Sequence, residues 1–99
     1  MEDVNITVNG KYLEYKGRPL VREANTICYG FMEDPYILMM TIMTTKMQKD
    51  TEVPDKILIQ ILKTDKNLSA QEKIVKQDMK SGLAEAFDLG LIWLERLLA

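Results

Sequence analysis

The spacing of apolar residues changes along this chain, from alternation in the first 80 residues to a three-and-four spacing near the C terminus. Apolar and polar residues alternate in "VNITVNGKYLEY", on both sides of Asn9-Gly10. Asn-Gly between β-prone runs is a strong hairpin signal, because both residues of the tight turn take positive φ. The pattern therefore predicts an N-terminal β-hairpin.

Turn-forming residues divide the next segment into short pieces. Gly17, Arg18 and Pro19 predict a break, and "LVR" and "TICYGF" then have the composition of short strands joined near Glu23–Asn25. The sequence "EDP", residues 33–35, predicts another turn. We therefore expect two short strands between the hairpin and residue 36.

The stretch "ILMMTIMTTKM", Ile37–Met47, holds four of the seven methionines of the chain. It is far shorter than the ~20 apolar residues that a membrane helix needs. Thioethers do bind Cu(I), but the alternating Thr and Ile residues favour a strand, in which Met39, Met43 and Met47 share one face. We predict a central strand with two apolar faces, and no copper site.

The segment after this strand alternates again. We expect "QKDTEVPD" to be a polar loop, and "KILIQILKTD", Lys56–Asp65, to be a strand covered on both faces. Ser69 and Glu72 match a capping box and predict a short helical turn. Lys73–Lys80 is predicted as a strand, with the first part of a long helix as the alternative, because Ser81-Gly82 separates it from the next periodic segment.

Residues Leu83–Leu98 have apolar residues at helical spacing. The apolar arc of this helix spans more than half its circumference, so we expect one sheet face to leave part of it uncovered. The predicted fold class is α+β: an antiparallel β-meander of five to seven short strands packed against one C-terminal α-helix, as a two-layer sandwich or half-open barrel. Residues 1–99 are predicted to form a single domain.

Composition supports a folded domain and narrows its setting. The 99 residues are 46% apolar and 28% charged, with a formal net charge of −2, which argues against a dedicated nucleic-acid binder. Cys28 has no second cysteine to pair with, which fits a reducing compartment. The N terminus lacks the apolar segment of a signal peptide, so we expect a cytoplasmic location.

The residues that usually carry enzyme chemistry are missing or scattered. The chain has no histidine and one cysteine, and its glycines are isolated, so zinc sites, His-dependent nucleophiles and phosphate loops have no support. The acidic residues show no spacing that indicates a catalytic pair. We therefore predict no catalytic, cofactor-binding or metal-binding residues, no cofactor, and no enzymatic activity; Cys28 is expected to be a small buried side chain.

The leading functional hypothesis is a protein-interaction module that binds itself or another protein, through a sheet edge or through the C-terminal helix. Ala86 and Gly90 lie four residues apart on that helix, and a mid-helix glycine costs up to ~1 kcal/mol relative to Ala. Close packing on the chain's own sheet would offset this cost, and so would a dimer contact. The candidate interaction surface comprises Ala86, Gly90, Ile92, Trp93 and Leu97. No membrane partner is expected.

Two weaker hypotheses remain. Lysines are dense in residues 56–80, and a weak nucleic-acid-binding surface would use Lys63, Lys66, Lys73, Lys76 and Lys80. The segment has no aromatic residue on which a base could stack, so a solvated surface is the simpler interpretation. Five aromatic residues near the N-terminal strands could line a ligand groove, although core packing is again simpler: Tyr12, Tyr15, Tyr29, Phe31 and Tyr36.

Overall fold

The computed structural model describes residues 6–9 and 12–99, with side chains described from Leu13 onwards. These residues form nine strands and two helices. The strands are β1 (Ile6–Asn9), β2 (Tyr12–Tyr15), β3 (Arg18–Glu23), β4 (Thr26–Tyr29), β5 (Tyr36–Ile42), β6 (Thr45–Gln48), β7 (Thr51–Pro54), β8 (Lys56–Lys63) and β9 (Ile74–Ser81), and the helices are α1 (Ala70–Lys73) and α2 (Leu83–Leu98).

Seven strands form one antiparallel sheet in the order β1-β2-β3-β4-β5-β8-β9, and β6 pairs with β7 in a separate two-stranded ribbon. Every strand of the main sheet therefore lies next to its neighbour in the chain, apart from the ribbon inserted between β5 and β8. Helix α2 packs against the sheet. The predicted α+β meander with a C-terminal helix is confirmed, although the two ribbon strands raise the strand count above the prediction.

Helix α2 covers one face of the sheet. In the register of β5 and β8, Leu38 is opposite Ile61, Met40 is opposite Ile59 and Ile42 is opposite Ile57, and all six side chains are buried in the core with Ala86, Leu91, Trp93 and Leu94 of α2. Cross-strand partners point to the same face, so this set defines the helix-covered face. The alternate residues of the same strands point away from the helix.

The wide apolar arc of α2 reaches the N-terminal strands as well as β8. The ring of Phe87 lies 5.3 Å from that of Tyr15 and 5.4 Å from that of Tyr29, in edge-to-face arrangements that aromatic pairs prefer. The Tyr29 hydroxyl donates a hydrogen bond to the Tyr15 carbonyl at 2.6 Å. The apolar side of α2 therefore packs on these two tyrosine rings as well as on the central strands, and most of it is covered within the chain.

The methionine-rich strand is shorter than predicted. Strand β5 ends at Ile42, and the predicted polar loop that follows is instead the β6–β7 hairpin. Its turn residues Lys49 and Asp50 both have positive φ, at 52° and 66°. Lys-Asp lacks the Asn-Gly signature that marks such a turn in a sequence, which is why the hairpin was missed. Met47 lies on this ribbon, 67% exposed, and does not share a sheet face with Met39.

Other local predictions had mixed outcomes. Strand β9, the helix bounds Leu83–Leu98 and the Ser69–Glu72 capping box are confirmed. Arg18 and Pro19 were predicted as a break and instead begin β3, where the carbonyl of Pro19 accepts a hydrogen bond from the Gly30 N–H at 3.0 Å. Strands β1 and β2 pair as the N-terminal hairpin, with Asn9 opposite Tyr12; the residues between them lie outside the described residues.

Candidate interaction surfaces

The small residues of α2 face the chain's own sheet. Ala86 and Gly90 are buried, and a Cβ atom added at Gly90 would lie 2.5 Å from Cδ1 of Leu38 and 3.2 Å from Cγ2 of Ile59. Real Cβ atoms essentially never approach other atoms so closely as 2.5 Å, so glycine is what lets the helix settle on β5 and β8. The cost of a mid-helix glycine is therefore offset by close packing inside the chain.

The other three residues of the predicted helix surface are divided between the core and solvent. Trp93 is only 8% exposed, and the Nζ atom of Lys76 lies 4.7 Å from its ring centroid. Ile92 and Leu97 are 47% and 37% exposed and flank shallow grooves between α2 and β9. Only these two side chains of the set present substantial surface to a partner.

The five lysines of the predicted nucleic-acid surface come from β8, the loop after it, α1 and β9. Lys63 ends β8, Lys66 follows in the loop, and Lys73 lies in α1. Lys76 and Lys80 share one face of β9, but the Lys76 ammonium sits over Trp93. To bind a nucleic-acid backbone, these side chains would have to be free to contact successive phosphates. Lys76 is already engaged with Trp93.

Strand β9 lies at an edge of the sheet, with β8 as its neighbour among the described strands. The Gly82 N–H donates to the Asp55 carbonyl at 2.7 Å, and hydrogen-bonded pairs alternate along an antiparallel ladder. Following the register, Lys80 and Asp78 direct their backbone groups at β8. Met79 and Gln77 therefore direct theirs outward, to the edge of the sheet.

The edge of β9 carries alternating charges. Lys76, Asp78 and Lys80 are opposite Ile61, Ile59 and Ile57 in the register, so their side chains lie on the helix-covered side of the sheet. All three side chains are exposed. The outward N–H of Met79 donates to Oδ1 of Asp78 at 2.7 Å, so within the chain the Asp78 carboxylate occupies a donor that a further strand would use.

Helix α2 does not cover the opposite face of the sheet. We call it the open face; its side chains in the central strands are Val21, Thr26, Cys28, Ile37, Met39, Thr41, Leu58, Gln60, Leu62, Gln77 and Met79. None of these residues is charged. Gln60 donates from Nε2 to Oε1 of Gln77 at 3.1 Å, and Met79 is 45% exposed. Charged residues appear at the rim, as Glu23 and Lys56.

One corner of the open face is shaped into a cleft of about 320 Å³, whose lining includes Val21, Cys28, Phe31 and Ile37. Burial raises the pKa of the Cys28 thiol, and the nearby Glu23 carboxylate raises it further. The thiol therefore stays protonated at neutral pH and is a weak nucleophile. Of the predicted aromatic groove, Tyr29 and Phe31 line this cleft, whereas the Tyr15 ring packs on the helix-covered side. The side chain of Tyr12 lies outside the described residues.

A sheet edge was part of the interaction hypothesis, but the hypothesis named no strand for it, and the open face was not part of the predicted surface. The open face had a signal in the sequence, since β5 and β8 have two apolar faces and the sequence predicts only one long helix to cover them. The charges of β9 were visible too, but their placement at an edge depends on strand order.

Comparison of the chain with protein-family models, with curated proteins and with solved structures found no match. In residues 6–9 and 12–99, no helix is long and apolar enough to cross a membrane. The same described residues contain no group of three or more His, Cys, Asp or Glu side chains arranged to hold a metal ion. A functional proposal must therefore come from the surfaces themselves.

Proposed function

We propose that this chain is a small protein-interaction module that self-associates by pairing β9 with β9 of a second copy, in antiparallel orientation. The observation that carries the proposal is the alternation of Lys76, Asp78 and Lys80 along an edge strand. Exposed edges present unpaired backbone groups, and a second strand of the same sequence can satisfy them. A two-fold axis perpendicular to the sheet would relate the copies.

The charges select the register of this pairing. With the axis at Met79, Asp78 lies opposite Lys80 of the second copy, and the reciprocal pair forms on the other side of the axis. With the axis at Asp78, two carboxylates face each other and Lys76 faces Lys80 of the second copy, which is destabilising. The axis at Met79 is therefore strongly favoured over its nearest symmetric neighbour on one side.

A third register, with the axis at Gln77, also matches opposite charges, because Lys76 then faces Asp78 of the second copy. It has two disadvantages. The ladder between β8 and β9 is irregular near Lys76, where the register shifts between Ile61 and Leu62. The Lys76 ammonium would also have to leave the Trp93 ring. The register centred on Met79 uses the regular part of β9 and leaves that contact intact.

Pairing exchanges one set of hydrogen bonds for another. The Met79 N–H would leave the Asp78 carboxylate and donate to the Met79 carbonyl of the second copy. The released carboxylate would then accept from Lys80 of the second copy, so no buried donor or acceptor loses its partner. The exposed Met79 side chains would pack against each other on the open face.

Charge reversal tests this register. Asp78→Lys alone and Lys80→Asp alone each place like charges opposite each other across the β9 pairing, so both variants should form assemblies of half the mass of those of the unmodified chain in sedimentation velocity. An equimolar mixture of the two variants places opposite charges across the axis and should recover the full mass. Lys66→Asp, in the exposed loop, serves as the matched control and should keep the full mass.

The mixture is the decisive measurement, because general destabilisation of either variant would not be reversed by adding the other. Thermal melts of each variant confirm that it is folded. An unmodified chain that stays monomeric at all concentrations, or single variants whose assemblies have the same mass as those of the control, would overturn the proposal. Nucleic-acid binding is not favoured as a second function, because residues 56–80 contain no aromatic side chain on which a base could stack and Lys76 is engaged with Trp93.

A further inference from the structure

We infer that the open face packs against the open face of another copy, so that two sheets stack with their helices on the outside. This inference uses a different surface from the β9 edge and does not depend on β9 pairing. A helix on one face of an antiparallel sheet is already a complete two-layer architecture, and the mostly apolar open face offers a surface for a third layer. The occupant that we assign to that layer is a second copy of this chain.

Charged side chains are absent from the centre of the open face in the described strands β3, β4, β5, β8 and β9. In a symmetric face-to-face contact each region of the surface meets its own equivalent or a nearby part of the same patch, so any charge at its centre would meet a like charge. The central part of the open face has only apolar, hydroxyl, amide and thiol side chains, with Glu23 and Lys56 at its rim. Depletion of charge at the centre with a polar rim is the composition of protein interfaces.

The open face is large enough for an interface of modest size. Five adjacent strands, β3, β4, β5, β8 and β9, span roughly 24 Å at the usual strand spacing, and the seven residues of β5 span roughly 23 Å. The projected patch is thus roughly 550 Å² per copy, or about 1,100 Å² for the pair, which is just above the roughly 1,000 Å² that a biological interface is expected to bury. The loop that carries Phe31 and Met32, exposed beside the cleft, extends the patch further.

The shape of the open face also suits packing against a second sheet. Stacked sheets lie about 10 Å apart, with side chains of the two inner faces interdigitating. Val21 and Met79 are exposed on the open face and can act as knobs, whereas the cleft beside Cys28 and Ile37 is a ready hole. Flexible methionine side chains adapt well to such packing. The open face therefore has protruding side chains and a cleft that can interdigitate with those of a second sheet.

The two interfaces lead to different assemblies. Face-to-face packing alone gives a dimer that survives charge reversal on β9. If both contacts form about intersecting two-fold axes, four chains close into one assembly. The Asp78→Lys background therefore isolates the open face, because in that background any remaining self-association is independent of β9 pairing.

The test is a lysine at the centre of the open face. In the Asp78→Lys background, we expect a dimer by sedimentation velocity, and we expect Met39→Lys to reduce it to a monomer, because the new charge would be desolvated between the sheets. Met39 is half-buried on the open face, so a lysine there can still reach solvent in the single chain. Met47→Lys is the matched control on the exposed ribbon and should leave the dimer intact.

A second measurement does not depend on the fold tolerating Met39→Lys. Alkylation of the Cys28 thiol should slow as protein concentration rises in the Asp78→Lys background, since dimerisation covers the open face, while Thr41→Lys should abolish this concentration dependence. A monomeric Asp78→Lys chain, a dimer unaffected by Met39→Lys and Thr41→Lys, or alkylation independent of concentration would overturn the inference. Because these readouts use the Asp78→Lys background, failure here leaves the β9 proposal untouched.

Discussion

The two faces of β5 differ although they belong to the same seven residues. Leu38, Met40 and Ile42 are buried beneath α2, whereas on the open face Met39 and Thr41 are half-buried and only Ile37, beside Gly30, is buried. Strand β8 repeats the contrast, with buried isoleucines on one side and partly exposed leucines on the other. The difference teaches that an apolar residue in a strand is not by itself a core residue, because burial depends on which layer is present.

The largest expected effect compares neighbouring residues of β8. Ile59→Ala removes a side chain with no exposed surface and should lower the free energy of unfolding by about 2–5 kcal/mol. Leu58→Ala, one residue away on the open face, should cost about 1 kcal/mol or less in the dilute single chain, because less surface is removed from contact. Urea denaturation of both variants measures the difference.

Protein concentration sharpens this comparison. If the open face is covered by another copy, the Leu58→Ala penalty should grow as the concentration rises, since association stabilises the native state by mass action. The Ile59→Ala penalty should change little by comparison. Equal penalties for both variants in dilute solution would mean that the two faces are not energetically distinct.

The next effect concerns the closest contact between α2 and the sheet. Gly90→Ala gains up to ~1 kcal/mol of helix propensity, but its Cβ would lie 2.5 Å from Leu38 Cδ1 in a closely packed core. Overpacking typically costs about 1–3 kcal/mol, so we expect a net loss of about 1 kcal/mol. In a Leu38→Ala background, the clash with Leu38 is absent.

Gly90→Ala should therefore change the free energy of unfolding in opposite directions in the unmodified chain and in the Leu38→Ala background. Gly90→Ala should stabilise the Leu38→Ala chain slightly, relative to Leu38→Ala alone, because helix propensity then outweighs the remaining contact with Ile59. Thermal melts of the four chains complete the cycle. A destabilisation of the same size in both backgrounds would show that the helix does not rest on β5 through Gly90.

Local patterns predicted the elements that local interactions specify. The three-and-four spacing located α2, and the reciprocal hydrogen bonds of Ser69 and Glu72 located α1. The β6–β7 hairpin escaped prediction because Lys49 and Asp50 adopt positive φ without the residues that usually favour it. Pro19 was expected to interrupt a strand, yet it is the second residue of β3. Its carbonyl accepts a hydrogen bond from the Gly30 N–H, and a proline near the start of a strand is tolerated although it has no N–H to donate.

The candidate surfaces were harder to predict than the elements, because they depend on which residues meet across the fold. Alternation in β5 and β8 indicated two apolar faces but not which of them α2 would cover. The small residues Ala86 and Gly90 fitted either close packing on the chain's own sheet or a dimer contact. The close approach of Gly90 to Leu38, which the sequence does not show, favours packing on the sheet. The charges of β9 gained significance once the strand was placed at an edge.

The smallest expected effect lies at the boundary of the helix-covered face. Lys76→Met keeps an apolar stem over Trp93 but removes the ammonium, which should lower the free energy of unfolding by about 0.5–1 kcal/mol. Lys66→Met, in the exposed loop, should remain within about 0.5 kcal/mol of the unmodified chain. Trp93 is the single tryptophan, so its fluorescence reports both unfolding and the local change.

Comparing Lys76→Met with Lys66→Met tests whether the helix-covered core extends from β8 to β9. If only Lys76→Met lowers the free energy of unfolding, and the Trp93 emission of the folded state shifts, then Lys76 covers the edge of the core beside β9. Equal stability and unchanged emission would place the true boundary of the core at β8. In that case β9 would contribute its backbone and its alternating charges to the sheet, and its helix-side face would belong with the solvent-exposed surfaces.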